Sequence, residues 1–415
     1  MTTNSLTQEK TIFGHPAGLY ILFFVEMWER FSYYGMRAIL TLSLAAPIIM
    51  GDPQSGVGWT NAETLSFYGT YTMFVYLMSI PGGWVADKYI GQKKAVMLGG
   101  ILLCFGHGVL AIDTEWAFFT GLILIVVGVG FLKPNISTMV GGLYKKGDNK
   151  RDTGFYIFYM GINIGAFLGA LTVGAVAAKY GWHYGFGLAG IGMAIGQLVY
   201  FYGLQYLEGV GEFIGSDKSP DKELMNKPLS RVEKDRMIVL LLSFLIIIVF
   251  WGAFEQAGGL MSLYTEQKTD RTLSVSLPFI GNEVPAAIFQ SINAFFIIIF
   301  ATIVAKFWSD WAKKGKESSS LFKMAIGLII MAFGFFFMTK ASTEVVMEGD
   351  EVVQKSAMIW LVLAYLFHTI GELCASPVAL SFITKLAPVK YAAFMMGAYF
   401  AATGLGNKVA GAVGQ

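Results

Sequence analysis

Long apolar stretches alternate with short polar ones along nearly the whole chain. Eleven of these stretches approach or exceed the ~20 residues that an α-helix needs to cross the hydrocarbon core of a bilayer. They lie at about 17–46, 62–87, 94–112, 115–141, 153–178, 185–207, 236–264, 286–309, 321–339, 356–384 and 389–415. The stretch between the sixth and the seventh is polar and rich in charge. The pattern therefore predicts an all-α integral membrane protein with six spans, a linker and five further spans.

The composition agrees with this interpretation. Of the 415 residues, 55% are apolar and only 14% are charged, whereas soluble domains carry about 25% charged residues. Cys104 and Cys374 stand singly within apolar stretches, so we expect neither a disulfide nor a metal site. The sequence offers no metal-ligand cluster and no Ser/His pairing at a useful spacing. We therefore predict a protein that is not an enzyme and needs no cofactor.

Positively charged residues are distributed unequally between the two sets of loops. The odd-numbered loops hold five, namely Lys179, Lys268, Arg271, Lys340 and Lys355. The even-numbered loops hold nineteen, namely Lys88, Lys93, Lys94, Lys145, Lys146, Lys150, Arg151, Lys218, Lys222, Lys227, Arg231, Lys234, Arg236, Lys313, Lys314, Lys316, Lys323, Lys385 and Lys390. Because cytoplasmic loops carry the excess of Lys and Arg, this count places the even loops and the N-terminus in the cytoplasm.

Two loops of similar composition suggest that the halves of the chain are related. Residues 83–94 carry the pattern Gly-x3-Asp-x3-Gly-x-Lys-Lys, and residues 310–316 hold a degenerate copy in the second half. The pattern resembles the cytoplasmic loop signature of the major facilitator superfamily, whose fold is two bundles of six helices. The resemblance implies a cytosolic N-terminus (1–16), an N-terminal bundle (17–208), a cytoplasmic linker (209–235) and a C-terminal bundle (236–415). We expect the C-terminal bundle to be incomplete, since a twelfth span is not evident.

The first span holds four charges that lipid would not tolerate. At ~2.5–3.5 kcal/mol for each charge near the bilayer centre, leaving them unpaired would cost roughly 10 kcal/mol. On a helix they share a face of about 140° with two tyrosines. This face comprises Glu26, Glu29, Arg30, Tyr33, Tyr34 and Arg37. We therefore expect it to point into the protein, where other charged groups receive it.

Three further charges lie deep within later spans: Lys133, Glu255 and Glu372. With the four charges of the first span they can form three pairs of opposite charge, which leaves one carboxylate available for a proton. Lys133 precedes Pro134, which is expected to break the fourth helix because proline lacks the N–H that the helix needs.

Four motifs, in this order, resemble the proton-dependent oligopeptide transporter (POT, or PTR) family of the major facilitator superfamily. They are Glu26-x-x-Glu29-Arg30-Phe31-x-Tyr33-Tyr34-Gly35, Phe158-Tyr159-x-x-Ile162-Asn163-x-Gly165, Glu255-Gln256 and Gly371-Glu372-x-x-x-Ser376-Pro377. The resemblance implies proton-coupled symport of di- and tripeptides into the cell by alternating access, in a cytoplasmic membrane. It implies peptides, protons and lipid as partners, and no nucleic acid.

The resemblance also implies roles for individual residues. Arg30 and Lys133 are expected to receive the peptide carboxylate, and Glu372 the peptide amino group. The walls of the binding pocket are expected to include Tyr34, Tyr76, Tyr159, Asn163, Trp251, Asn293 and Ser376.

For proton coupling, two carboxylate sites stay open as candidates. Glu26 and Glu29 are expected to face Lys133 as a switchable ion pair, and Glu255 is expected to pair with Arg37. Residues 62–90 contain no histidine, so carboxylates must carry the proton.

Two other functions remain open from the sequence. One is a transporter of another small anion, such as nitrate or an amino-acid conjugate, in which Glu372 would have no amino group to bind. The other is a receptor or scaffold that binds a ligand without moving it across the membrane.

Overall fold

The computed structural model describes residues 11–144, 150–212, 228–278, 280–349, 351–386 and 392–415. Its helices are α1 (Ala17–Ala45), α2 (Asn61–Leu77), α3 (Ser79–Val85), α4 (Gln92–Leu110), α5 (Glu115–Gly142), α6 (Lys150–Tyr180), α7 (Trp182–Gly203), α8 (Arg231–Phe254), α9 (Leu260–Lys268), α10 (Ser291–Lys313), α11 (Ser320–Glu344), α12 (Met358–Leu386) and α13 (Ala392–Gly414). Each of the eleven predicted spans coincides with one of these helices or with two in succession. The second span comprises α2, α3 and the π-helical turn Ala86–Ile90, and the seventh comprises α8, the 3-10 turn Glu255–Ala257 and α9.

Many of these helices are built to cross a membrane. In the described part of the chain, eight helical stretches are long and apolar enough to do so by length and composition. The helix α1 is not among them, because its four charges lower its mean hydropathy and exceed what a lipid-facing helix carries. The protein is therefore an all-α, multi-pass membrane protein. The predicted linker (209–235) lies mostly outside the described residues.

The helices pack in two groups that follow the chain order. In the first half, α1 packs against α6 and α7, while α4 packs against α5 and α7. In the second half, α11 packs against α12, and α13 against α8. One large cluster of buried apolar side chains fills the first group and extends to Leu263, Ala286 and Ala287 of the second half, and two smaller clusters lie within the second group. We call these groups the N-bundle and the C-bundle.

The two bundles touch most closely at one end, which we call the Ala45 end because α1 finishes there. The Thr41 hydroxyl donates a hydrogen bond to the carbonyl oxygen of Gly258 at 3.1 Å. A β-carbon on Gly69 of α2 would lie 2.9 Å from the Cα of Gly411 on α13. Towards the opposite end the same two spans lie further apart, since a β-carbon on Gly397 would be 3.6 Å from the Ile80 side chain. The bundles are therefore closed against each other at the Ala45 end.

Short strands join the helices outside the spans, and the apolar pattern did not predict them. Antiparallel pairs form between β1 (Thr11–Ile12) and β2 (His15–Pro16), between β4 (Thr272–Leu277) and β5 (Gly281–Glu283), and between β6 (Val346–Glu348) and β7 (Glu351–Gln354). A parallel pair forms between β3 (Thr269–Asp270) and β8 (Ser356–Ala357). Arg271 holds the β4–β5 hairpin to α9 through ion pairs to Glu266 at 3.1 Å and Glu283 at 2.9 Å.

The expectation that Pro134 breaks the fourth helix is wrong. The helix α5 continues through Pro134 to Gly142. Side chains add hydrogen bonds to the helix backbone on both sides of the proline, since the Asn135 amide donates to the Phe131 carbonyl at 2.7 Å and the Thr138 hydroxyl donates to the Pro134 carbonyl at 2.8 Å. Side-chain donors of this kind are what allow proline within membrane helices.

Gly82 of α3 lies directly against the backbone of α5. A β-carbon there would collide with the carbonyl oxygen of Gly130, which cannot move without displacing the helix. We expect Gly82→Ala to lower the free energy of unfolding by about 1–3 kcal/mol, as overpacking does elsewhere. Gly108→Ala is the matched control, because a β-carbon at Gly108 meets nothing within 4 Å. Thermal unfolding in detergent should show a lower Tm for the first variant only, and equal Tm values would contradict this packing.

Candidate functional site

The polar face of α1 is buried, as its charge pattern predicts. Glu26, Glu29 and Arg30 are 2%, 0% and 2% exposed. The Nε atom of Arg30 lies 3.0 Å from Glu26 Oε1, and the same guanidinium pairs with Glu29. The spacing of Glu26 and Arg30, four residues apart, places them on adjacent turns of one helix. Two carboxylates therefore share one guanidinium.

Lys133 forms no ion pair with Glu26 or Glu29 in this conformation, and the switchable pair stays a prediction. Its ammonium nitrogen lies 3.9 Å from the centre of the Tyr76 ring and 5.7 Å from that of Phe400. These two rings stack with centroids 6.4 Å apart. The physical reason is that Arg30 already occupies both glutamates from within α1. The negative ring faces attract the lysine instead.

A second charged group lies nearer the Ala45 end and joins the two bundles. The Nη1 atom of Arg37 donates to both carboxylate oxygens of Glu255, at 2.9 and 3.0 Å. The Tyr68 hydroxyl donates to Glu255 Oε2 at 3.0 Å. The predicted pairing of Glu255 with Arg37 is therefore confirmed, and all three side chains are buried. Neutralising one partner of such a buried ion pair leaves the other charge uncompensated, which is costly.

The third group is centred on Glu372 of α12. Its Oε2 atom accepts a hydrogen bond from the Asn293 amide at 2.9 Å, and the same amide nitrogen lies 3.0 Å from the Thr369 hydroxyl. Glu372 is 8% exposed. Asn293, which was expected only to line the pocket, thus holds the carboxylate in position.

The remaining predicted pocket residues surround these groups. The Tyr34 ring lies 4.8 Å from the Arg37 guanidinium and 5.9 Å from that of Arg30. On α6, the Asn163 amide donates to the Tyr159 carbonyl at 2.9 Å. Trp251 and Ser376 lie beside the buried Tyr399.

The charge balance differs from the three opposite pairs that were expected. Arg30 takes two carboxylates and Arg37 takes one, so four charged side chains of α1 and one of the C-bundle take part in ion pairs. With every group ionised, Arg30, Glu26 and Glu29 together keep one negative charge. Among the described residues, neither Lys133 nor Glu372 forms an ion pair. A cation on the N-bundle and an anion on the C-bundle are thus left without a charged partner. The buried Arg30 Nη2 atom also makes no hydrogen bond within the described residues.

Comparison with models of known protein families shows which family the chain belongs to. The model of the POT family matches residues 93–212 and 221–415. The chain belongs to the POT family. In the part of the chain that the structure describes, no group of three or more His, Cys, Asp or Glu side chains could hold a metal ion.

Named POT-family relatives match over nearly the whole chain. A peptide transporter of Yersinia enterocolitica is 34% identical, and the match covers 100% of this chain and 90% of that protein. A di-/tripeptide transporter of Lactococcus lactis is 33% identical over 95% of this chain and 88% of the relative. A crystal structure of a peptide transporter POT in complex with sulfate is 33% identical, with a TM-score of 0.86 and coverage of 98% of this chain and 90% of that chain.

Sequence reasoning missed three contributors to this POT-family site. Tyr68 binds Glu255, Thr369 lies within hydrogen-bond distance of Asn293, and Phe400 stacks on Tyr76 near Lys133. Tyr68 gave the clearest signal, since a hydroxyl within a membrane span needs a partner. Phe400 gave none, because one phenylalanine in an apolar span looks like any other.

Proposed function

We propose that the protein carries di- and tripeptides together with protons by alternating access. The observation that carries this proposal is a pair of opposite charges that form no ion pair within the described residues, Lys133 on the N-bundle and Glu372 on the C-bundle. A peptide with free termini is a zwitterion, so it supplies one partner for each of them. Relatives named as peptide transporters support the same assignment.

The carboxylate end of the peptide would be received by Lys133 and by the free Nη2 of Arg30. Of these two, Lys133 is the more available, because Arg30 is already held by Glu26 and Glu29. Its present contacts are aromatic rings, which a carboxylate can replace with a stronger attraction. The amino end would be received by Glu372, which Asn293 orients.

For the proton we favour Glu255 over Glu26 and Glu29. The Glu255 carboxylate joins α1 to the C-bundle, whereas the other two bind an arginine of their own helix. Protonating Glu255 removes the attraction to Arg37 and so weakens a contact between the bundles. Protonating Glu26 or Glu29 changes only the balance of charge within α1.

The unequal loop charges support an orientation for this cycle. With nineteen Lys and Arg residues on the even loops and five on the odd loops, the Ala45 end would face the outside and the N-terminus the cytoplasm. The closed Ala45 end then corresponds to a state that faces inward.

Reconstitution tests the function directly. Proteoliposomes that hold the protein are expected to take up a labelled dipeptide when the outside is made acidic, and protein-free liposomes are the control. A protonophore should remove accumulation above equilibrium, because the proton gradient is the driving force. Uptake that is unaffected by the protonophore would contradict the coupling.

The two other functions make different predictions in the same vesicles. A carrier of nitrate or of another simple anion would move that anion and ignore the dipeptide. A receptor or scaffold would bind the dipeptide, which a thermal shift detects, without any flux.

A further inference from the structure

An additional charge lies within the last helix, and the function proposed above does not use it. Lys408 of α13 is half-buried on the side that faces α2. Its ammonium donates to the Thr70 hydroxyl at 2.7 Å and more weakly to the Ser66 carbonyl at 3.4 Å. No Asp or Glu among the described residues forms an ion pair with it. A lysine in a membrane span points to a function by default, because it is costly to place there.

Lys408 belongs to a contact between the two bundles. The backbones of α2 and α13 approach closely at glycines, since a β-carbon on Gly69 would lie 2.9 Å from Gly411 and one on Gly404 would lie 3.0 Å from the Met73 carbonyl oxygen. We call this contact the α2–α13 seam. It lies in the half of the protein near the Ala45 end. Opening that end separates the bundles there, so it must separate Lys408 from Thr70.

Thr70 and Ser66, which bind Lys408, are hydrogen-bonded to each other as well. The Thr70 hydroxyl also donates to the Ser66 carbonyl at 2.8 Å, so both α2 groups remain bonded without the lysine. The ammonium, in contrast, loses part of its hydration in the closed seam and gains in return two hydrogen bonds to neutral groups but no opposite charge. When the Ala45 end opens, water can surround it again. The lysine therefore favours the open seam over the closed one.

We propose that Lys408 is a positioning residue that destabilises the closed α2–α13 seam and so promotes reopening of the Ala45 end. Without such a charge, the tightly packed glycine contact would hold the end shut. The proposal rests on the alternating access proposed above, but it concerns the conformational equilibrium of the empty protein. Its test therefore needs neither peptide nor proton gradient.

The equilibrium can be measured as a distance between spin labels on the two bundles. Trp116 at the start of α5 and Ile359 at the start of α12 are exposed helix positions near the Ala45 end. Both are replaced by labelled cysteines after Cys104 and Cys374 are changed to alanine. The distance distribution in lipid nanodiscs then gives the open and closed fractions.

Two changes with opposite chemistry are expected to act in the same direction. Lys408→Met removes the half-buried charge, and we expect the ratio of open to closed protein to fall by at least roughly fivefold. Thr70→Asp gives the lysine a counter-charge, and it should close the seam by roughly tenfold or more. Lys408→Arg should restore the parent ratio, because it keeps the charge. Lys306→Met, at an exposed lysine of α10, is the matched control and should change nothing.

The opposite shift would overturn the proposal. If Lys408→Met raised the open fraction, the lysine would be a latch that holds the seam shut. An unchanged ratio would show that it has no part in the equilibrium. The double variant Lys408→Met with Thr70→Asp separates the effect of charge from a general effect of packing. It leaves the new carboxylate without a partner, so it should open the seam, although each single variant closes it. A protein that failed to transport peptide would still give these distances.

Discussion

Glu255→Gln is expected to abolish accumulation of peptide driven by a proton gradient, while peptide exchange across the membrane continues. Glutamine has nearly the shape of glutamate and can still accept a hydrogen bond from Arg37 or Tyr68. It cannot carry the negative charge, nor can it take up and release a proton. The variant therefore resembles the protonated state permanently. A carrier fixed in that state can still exchange bound peptide, but it cannot couple the movement to protons.

The size of the effect follows from where the ion pair lies. Arg37 Nη1 contacts both Glu255 oxygens at 2.9 and 3.0 Å, and the carboxylate is 3% exposed. Removing one partner of a buried pair leaves the other charge uncompensated, at a cost of about 3–5 kcal/mol. This pair spans α1 and the C-bundle, so the cost falls on the state in which the Ala45 end is closed.

The measurement is uptake with and without a proton gradient, together with counterflow of labelled against unlabelled dipeptide. Glu266→Gln is the matched control, because Glu266 pairs with Arg271 in an exposed position at the end of α9. It should leave both activities near the parent values. Accumulation by Glu255→Gln at the parent level would move the proton site away from Glu255, with Glu26 and Glu29 as the remaining candidates.

The positions of the spans were predictable because lipid imposes a length and a composition. The first apolar stretch was predicted at 17–46, and α1 occupies Ala17–Ala45. The strands were not predictable, because hairpins such as Thr272–Leu277 with Gly281–Glu283 are mostly exposed and bury little apolar surface. The continuity of α5 through Pro134 was not predictable either, because proline within a membrane helix can be tolerated or can break it, depending on the surrounding packing.

The site was predictable only in part, because sequence shows which charges exist but not which of them meet. The pairing of Arg37 with Glu255 was expected from the family resemblance rather than from the charges alone, and it was confirmed. Lys133 was assigned to Glu26 and Glu29, although the spacing of Glu26 and Arg30 already indicated a pair within α1. Lys408 stands in the last apolar stretch, and the sequence analysis overlooked it among the charges within spans. Its contact with Thr70 could not be seen, because 338 positions separate the two in sequence.

Glu372→Gln is expected to remove the preference for peptides with a free amino terminus. The variant keeps a side-chain oxygen that can accept the hydrogen bond from Asn293, so the pocket should keep its shape. It loses the negative charge that would meet the peptide ammonium. Truncating one partner of a buried charge pair costs about 2–5 kcal/mol, so the affinity for a dipeptide should fall by roughly 30-fold or more.

The ligand supplies the sharpest control for this prediction. An N-acetylated dipeptide has no ammonium, so its weak binding should hardly change between the parent protein and Glu372→Gln, whereas binding of the free dipeptide should fall to the same level. Calorimetric titration of both ligands measures the two differences. Glu344→Gln is the control variant. Glu344 accepts a hydrogen bond from the Trp360 indole at 2.8 Å near the Ala45 end, and its replacement should leave both affinities unchanged.

If Glu372→Gln bound the free dipeptide as tightly as the parent, the amino terminus would be recognised elsewhere. A substrate without an amino group, such as a simple anion, would then be the better assignment, because Lys133 and Arg30 would be the only charges it needs.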